Sequence, residues 1–190
     1  MEVAAGRLLV ATPVIAEPTF ARTVVLLLTA GDEDGALGVV LNRAGDTEVA
    51  RVLPDWQPFV AAPDVVFEGG PVQTTAAICL ARLKPGVDEG PGLAPLAVAG
   101  PGPRLATVDL DAEPERVVPS VSRLRVFAGY AGWSPGQLEA EVEEGAWWVL
   151  DALPDDAFPT RPELLWQQVL RRQGPPLAFA VTLPQDPTLN

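Results

Sequence analysis

A chain of 190 residues with 48% hydrophobic and 20% charged side chains has enough apolar material to bury a core, and too much for wholesale disorder. Its 25 acidic and 13 basic residues leave a formal charge of -12, which opposes binding to nucleic acid and to anionic membranes. With no histidine and one cysteine, Cys79, the composition excludes Ser-His and Cys-His triads, histidine-ligated zinc, a four-cysteine metal site within one chain and an internal disulfide.

Taken in chain order, Leu8 to Ala11 reads as a strand. Glu2 and Pro13 argue against an export signal, and the longest aliphatic run, Val24 to Leu28, is far short of the roughly 20 residues of a membrane helix. The cytosol is therefore the expected compartment. Thr23 to Ala30 and Ala36 to Asn42 flank the turn sequence GDEDG and predict a β-hairpin that is apolar on both faces, so helices must cover it. With Ala30 opposite Ala36, Asn42 faces Val24 and Arg22 lies diagonally beside it. A short helix is expected from Glu48 to Leu53. Further strands are expected at Val65 to Glu68, Ala76 to Leu83, Leu105 to Leu110, Leu124 to Phe127 and Trp147 to Leu150.

Two more helices carry start and stop signals. Ser134, Pro135 and Gln137 form an N-cap, a first-turn proline and a capping-box partner, with Gly145 as the stop. Thr160 with Glu163 repeats the pattern, and Gly174 followed by Pro175 ends that segment. The Pro/Gly-rich stretch 85–103 predicts a surface excursion with little regular structure, and the tail 184–190 is expected to be loose. No repeat divides the chain, so 1–190 is expected to be a single domain.

Catalytic chemistry is poorly represented. No Walker-type or dinucleotide-binding glycine motif occurs. Cys79 lies in AAICLARL, a setting for a buried, inert thiol. Glu139 and Glu143 are spaced to share a cation on the helix after Ser134, but a glutamate run on a helix is usually a solvated face. Tyr130, Trp133, Trp147 and Trp148 form either an aromatic shelf or core packing, and buried area favours packing. The short basic clusters, Arg123 with Arg125 and Arg171 with Arg172, are too small to track a phosphate backbone.

Four blocks in order, GRLLVATP with PTFARTVVLL, GALGVVLNR, EGGPV, and RVFAGYAGWSPGQLEAEVEEGAWW, resemble the YqgE/AlgH family of bacterial proteins. The resemblance runs from about Gly6 to Leu170. It implies an α+β fold with a branched, mostly antiparallel sheet, partly curled into a small barrel and surrounded by helices. The family brings no established activity, and some members are labelled transcriptional regulators. Its pattern picks out Phe20, Arg22, Asn42, Gly69, Gly70, Pro71, Gly129, Tyr130, Gly132, Trp133, Gly136, Gln137, Leu138 and Glu139, the glycines read first as tight turns and positive φ.

These readings favour a non-catalytic binding or regulatory module with no cofactor, no metal and no catalytic residue. Its expected contact patch is Arg22, Asn42, Tyr130, Trp133, Gln137 and Glu139, facing a protein or a small ligand, with no direct nucleic-acid or membrane contact and no disulfide-linked partner. The competing readings are a regulator of transcription acting through a partner and a carboxylate-based enzyme, metal-assisted through the glutamates of the last block. Within the patch, Arg22 is expected to brace the hairpin against a carboxylate such as Glu139, and Gln137 to complete the capping box.

Overall fold

The structure is a computed structural model that describes residues 2–98 and 104–182. The strands are β1 (Arg7–Ala11), β2 (Val24–Gly31), β3 (Gly35–Val40), β4 (Ala44–Glu48), β5 (Val65–Glu68), β6 (Val72–Leu83), β7 (Leu93–Leu96), β8 (Leu105–Val108), β9 (Val121–Trp133) and β10 (Trp147–Asp151); most lie on apolar runs, whereas β4, AGDTE, is polar and largely exposed. The helices are α1 (Val49–Val52), α2 (Pro114–Val117), α3 (Gln137–Glu143) and α4 (Leu165–Arg172). No helix among the described residues is long and apolar enough to cross a membrane.

The sheet runs β10-β1-β2-β3-β9-β6-β8-β7 and curls into a half-barrel, the α+β architecture that the family resemblance implies. Its branch point is β9. One edge of β9 pairs antiparallel with β6. The other edge takes β5 in parallel at Phe127 and Ala128, then β3 antiparallel from Ala131 to Trp133. β4 pairs with β5 outside the main path.

Both faces of the β2–β3 hairpin are covered, as two apolar faces require. Val24, Leu26 and Val39 pack with Leu165, Trp166, Val169 and Leu170 of α4. Val25, Leu27 and Val40 pack on the opposite face with Leu138 of α3, Trp133 and Trp147. A third cluster joins Val49 of α1, Trp56 and Val117 of α2 to β6, β8 and β9. Trp166 secures α4 by donating its indole N–H to the Ala11 carbonyl at 2.8 Å.

Several details differ from expectation. Ala30 does pair with Ala36, but the register shifts at Leu28, so Val25 meets Val40 and Asn42 falls level with Thr23 rather than Val24. A β-bulge takes up that extra residue. β9 is 13 residues long and absorbs Gly129 and Gly132 as strand positions rather than turns, while Gly129 keeps the expected positive φ, at 71°. Within the Pro/Gly-rich stretch, β7 pairs antiparallel with β8 as a sheet edge, where Pro95 is tolerated because no further strand among the described residues needs its missing N–H. Residues 99–103 of that stretch, and the tail 184–190, lie outside the described residues.

The helix starts also move. α3 begins after Gly136, which takes φ 74°, so Ser134 is not its N-cap. A 3-10 turn at Pro162–Leu164 precedes α4, and no side-chain cap is formed there. The stops hold: Gly145 and Gly174 adopt φ of 81° and 71°.

Candidate functional site

At the open end of the hairpin, Asn42 ties two strands together. Its Oδ1 accepts from the Val24 N–H and its Nδ2 donates to the Arg22 carbonyl, both at 2.9 Å. Because the bulge has moved Asn42 past the last backbone pair, its side-chain amide replaces ladder hydrogen bonds with equivalent ones. Arg22, at φ 55°, places its guanidinium carbon 5.0 Å from the centre of the Trp166 ring. That stacking braces the approach to the hairpin against α4. The neighbouring Arg43 donates from Nη2 to the Pro18 and Ala21 carbonyls, at 3.1 and 2.9 Å, and so holds the 18–21 loop over the hairpin's end.

A second network forms on the opposite face. Glu141 Oε2 accepts from the indoles of Trp133 and Trp147 at 3.0 and 2.8 Å, and its Oε1 accepts from the Gln137 amide at 2.9 Å. Gln137 in turn accepts from the Ser134 N–H at 3.0 Å, which is the returning half of a capping box. Phe20 meets Trp147 edge-on at 5.7 Å, and Trp133 meets Trp147 likewise at 5.9 Å. The aromatic residues are therefore packing, with Glu141 satisfying the buried indole N–H groups that packing creates.

The third feature is a close backbone crossing between the EGGP segment and β9. A Cβ at Gly70, whose φ is 153°, would lie 2.2 Å from the Tyr130 carbonyl carbon, and one at Gly129 would lie 2.5 Å from the Gly70 oxygen. Only glycine permits this approach. The crossing has a consequence for β6: Val72 pairs with Tyr130, yet the next pair is Ala77 with Ala128, so residues 73–76 arch out of the ladder. Gln73 sits in that arch at φ 45°.

Beside the arch lies a cleft of about 430 Å³, lined by Pro18, Thr19, Arg43, Glu68, Gly70 and Thr74 among others. Thr19, Glu68 and Thr74 are exposed. Five separate segments converge here: the loop before β2, the end of the hairpin, the end of β5, the start of β6 and Ala128 of β9.

The expected patch is only partly gathered. Arg22 and Asn42 adjoin each other and this cleft's floor residue Arg43. Tyr130 packs with the α4 core, whereas Trp133 belongs to the core on the other face. Gln137 and the exposed Glu139 stand on α3, whereas Trp133 ends β9. Arg43 and Glu68 are not picked out by sequence reasoning, and Glu141 is reached only as a neighbour of the Glu139 and Glu143 pair. The first two lie inside the blocks LNR and EGGPV, and Glu141 is four residues from Gln137, the spacing that puts side chains on one helix face. Cys79 is buried, and burial pushes its thiol up to about 12. Among the described residues, no cluster of three or more acidic, cysteine or histidine side chains is arranged to hold a metal ion.

A family model described as AlgH-like matches residues 8–178, which takes in every element above from β1 to α4. The chain belongs to the AlgH-like family. A UPF0301 protein of Streptomyces coelicolor is 51% identical over 97% of this chain and 94% of its own length. One from Mycobacteroides abscessus is 50% identical over 98% and 88%. Among solved structures, a crystal structure of a Corynebacterium diphtheriae protein is similar with a TM-score of 0.88, at 38% identity and covering 96% of this chain and 94% of that one. The solution structure of AlgH from Pseudomonas aeruginosa gives 0.65 at 27% identity, covering 97% and 98%. The cleft of this AlgH-like chain is thus built from the same PTFAR, LNR and EGGPV blocks that carry the family likeness.

Proposed function

We propose that this AlgH-like protein is a non-catalytic binding module of the cytoplasm, and that the cleft at Glu68, Gly70 and Thr74 is where it takes an extended, basic segment of a partner protein. The observation that carries this reading is the arch at residues 73–76, which leaves strand backbone outside the ladder next to an exposed carboxylate. Strand backbone that is out of register with its ladder offers a docking edge for a peptide, and Glu68 together with the net charge of -12 selects for a cationic one. Any regulatory effect would be exerted through that partner.

The groups best suited to chemistry are committed elsewhere. Asn42 and Arg43 hold backbone, Glu141 holds indoles, and the Cys79 thiol is buried. These commitments support binding over catalysis, since a reacting side chain must be free to reach a substrate. The test is affinity capture from the native host's extract with the wild type, Glu68→Lys, and Glu115→Lys as a control on exposed α2. Partners retained by the wild type and the control, but lost by Glu68→Lys at an unchanged melting temperature, are expected. Equal capture by all three would contradict the assignment.

A further inference from the structure

A second cavity lies at the other end of β9, and its electrostatics differ from those of the acidic molecule around it. It measures about 410 Å³ and is lined by Phe59, Ala61, Ala62, Ser122, Arg123 and Thr160 among others, with Val118, Val121 and Phe158 adding apolar wall. Arg123 of β9 pairs across the ladder with Arg82 of β6, so the two guanidinium groups share a sheet face. Both turn to one carboxylate oxygen, Asp155 Oδ1. Arg82 makes the closer ion pair, and Arg123 stands 3.9 Å away.

Behind this pair is a third cation. Arg125 follows Arg123 by two residues on the same strand face and is fully buried. Its Nη2 donates to the Ala62 carbonyl at 2.8 Å, its guanidinium lies 4.1 Å over the Phe67 ring, and its Nε and Nη1 have no hydrogen-bond partner. No carboxylate among the described residues forms an ion pair with it. Burial and the nearby Arg123 push its guanidinium down to about 10, which still leaves it charged at neutral pH. Two guanidinium groups thus share one carboxylate oxygen, a third is buried two residues along the strand with no carboxylate partner, and the residues whose carbonyls hold Arg125 line the cavity. In a low-dielectric setting such a surplus is felt strongly across a few ångströms.

We infer that this cavity binds a small organic oxyanion, a phosphate monoester or carboxylate whose charged end meets Arg123 and whose apolar body lies against Phe59, Val121 and Phe158. Arg123 is half exposed and only loosely held by Asp155, so its guanidinium is available to fork onto an oxyanion. Thr160 supplies a hydroxyl at the rim, whereas that of Ser122 donates to the Arg82 carbonyl at 3.0 Å. Asp155 is then the internal competitor for Arg123, and this gives the two residues opposite effects on binding.

The probes are phenyl phosphate and inorganic phosphate, titrated into the isotope-labelled protein at constant ionic strength and followed by amide chemical shifts. Phenyl phosphate is expected to saturate with shifts at Ala61, Ala62, Ser122, Arg123 and Thr160, and to bind more tightly than inorganic phosphate. Arg123→Gln should weaken it by about tenfold, the loss of one charge-assisted hydrogen bond. Asp155→Asn should tighten it, a change that a merely structural Asp155 would not cause. Non-saturating or scattered shifts, equal affinity for the two probes, or insensitivity to both substitutions in folded protein would overturn the inference.

Discussion

Glu141 shows how one side chain can set the geometry of a whole sequence block. Its two oxygens receive three donors, two of them indoles in the core between α3 and the sheet. Hydrogen bonds to a charged acceptor contribute about 1.5–3 kcal/mol, and orphaned buried donors add their own desolvation cost, so Glu141→Ala is expected to lose about 3 kcal/mol in urea unfolding. Glu141→Gln keeps the shape and should lose roughly half of that. Cys79 gives a second prediction at this scale. Its folded thiol is raised from 9.0 to about 12 by desolvation, so the folded state holds its proton more tightly than the unfolded chain. The resulting stabilisation is complete below pH 9 and is lost as pH rises from 9 towards 12. Cys79→Ala should therefore show a shallower alkaline decline than the wild type. In the native protein at about pH 8, Cys79 should resist thiol reagents that label it rapidly after unfolding.

At the scale of elements, the crossing of the EGGP segment over β9 is the tightest constraint on the cleft. An alanine at Gly70 would drive its Cβ into the Tyr130 carbonyl, so Gly70→Ala is expected to cost about 3 kcal/mol or more in stability, read as a lowered denaturation midpoint. Most strands were legible in the sequence because their apolar runs are bounded by turn residues, as in TVVLLLTA-GDEDG-ALGVVLN. The bulge at Leu28 was not legible, since an extra leucine within a run of leucines leaves no mark on the pattern. The length of β9 was hidden for a different reason: Gly129 and Gly132 imitate turn signals, while the cause of Gly129 is a non-local approach of Gly70's backbone. The candidate site was half legible. Asn42 reaches Arg22, but through the Arg22 carbonyl and not as a diagonal side-chain neighbour, because the bulge sets Asn42 level with Thr23; Tyr130 and Trp133 face different cores because the strand between them carries an odd offset.

At the scale of the whole molecule, the sheet is held against α4 by two contacts distant in sequence, the Trp166 indole on Ala11 and the Arg22 guanidinium over the Trp166 ring. Arg22→Lys replaces a planar, stacking cation with a point charge, and should lower stability by about 1 kcal/mol while leaving partner capture intact. Loss of capture with unchanged stability would instead make Arg22 part of the contact surface. Docking at the arch and cleft can be read out by placing a photo-crosslinking residue at Thr74 or, separately, at Glu115 and irradiating cells of the native host. A discrete adduct whose crosslinked peptide is basic is expected from Thr74, and none of comparable yield from Glu115. A Thr74 position that gives no adduct, or the same adducts as Glu115, would contradict it.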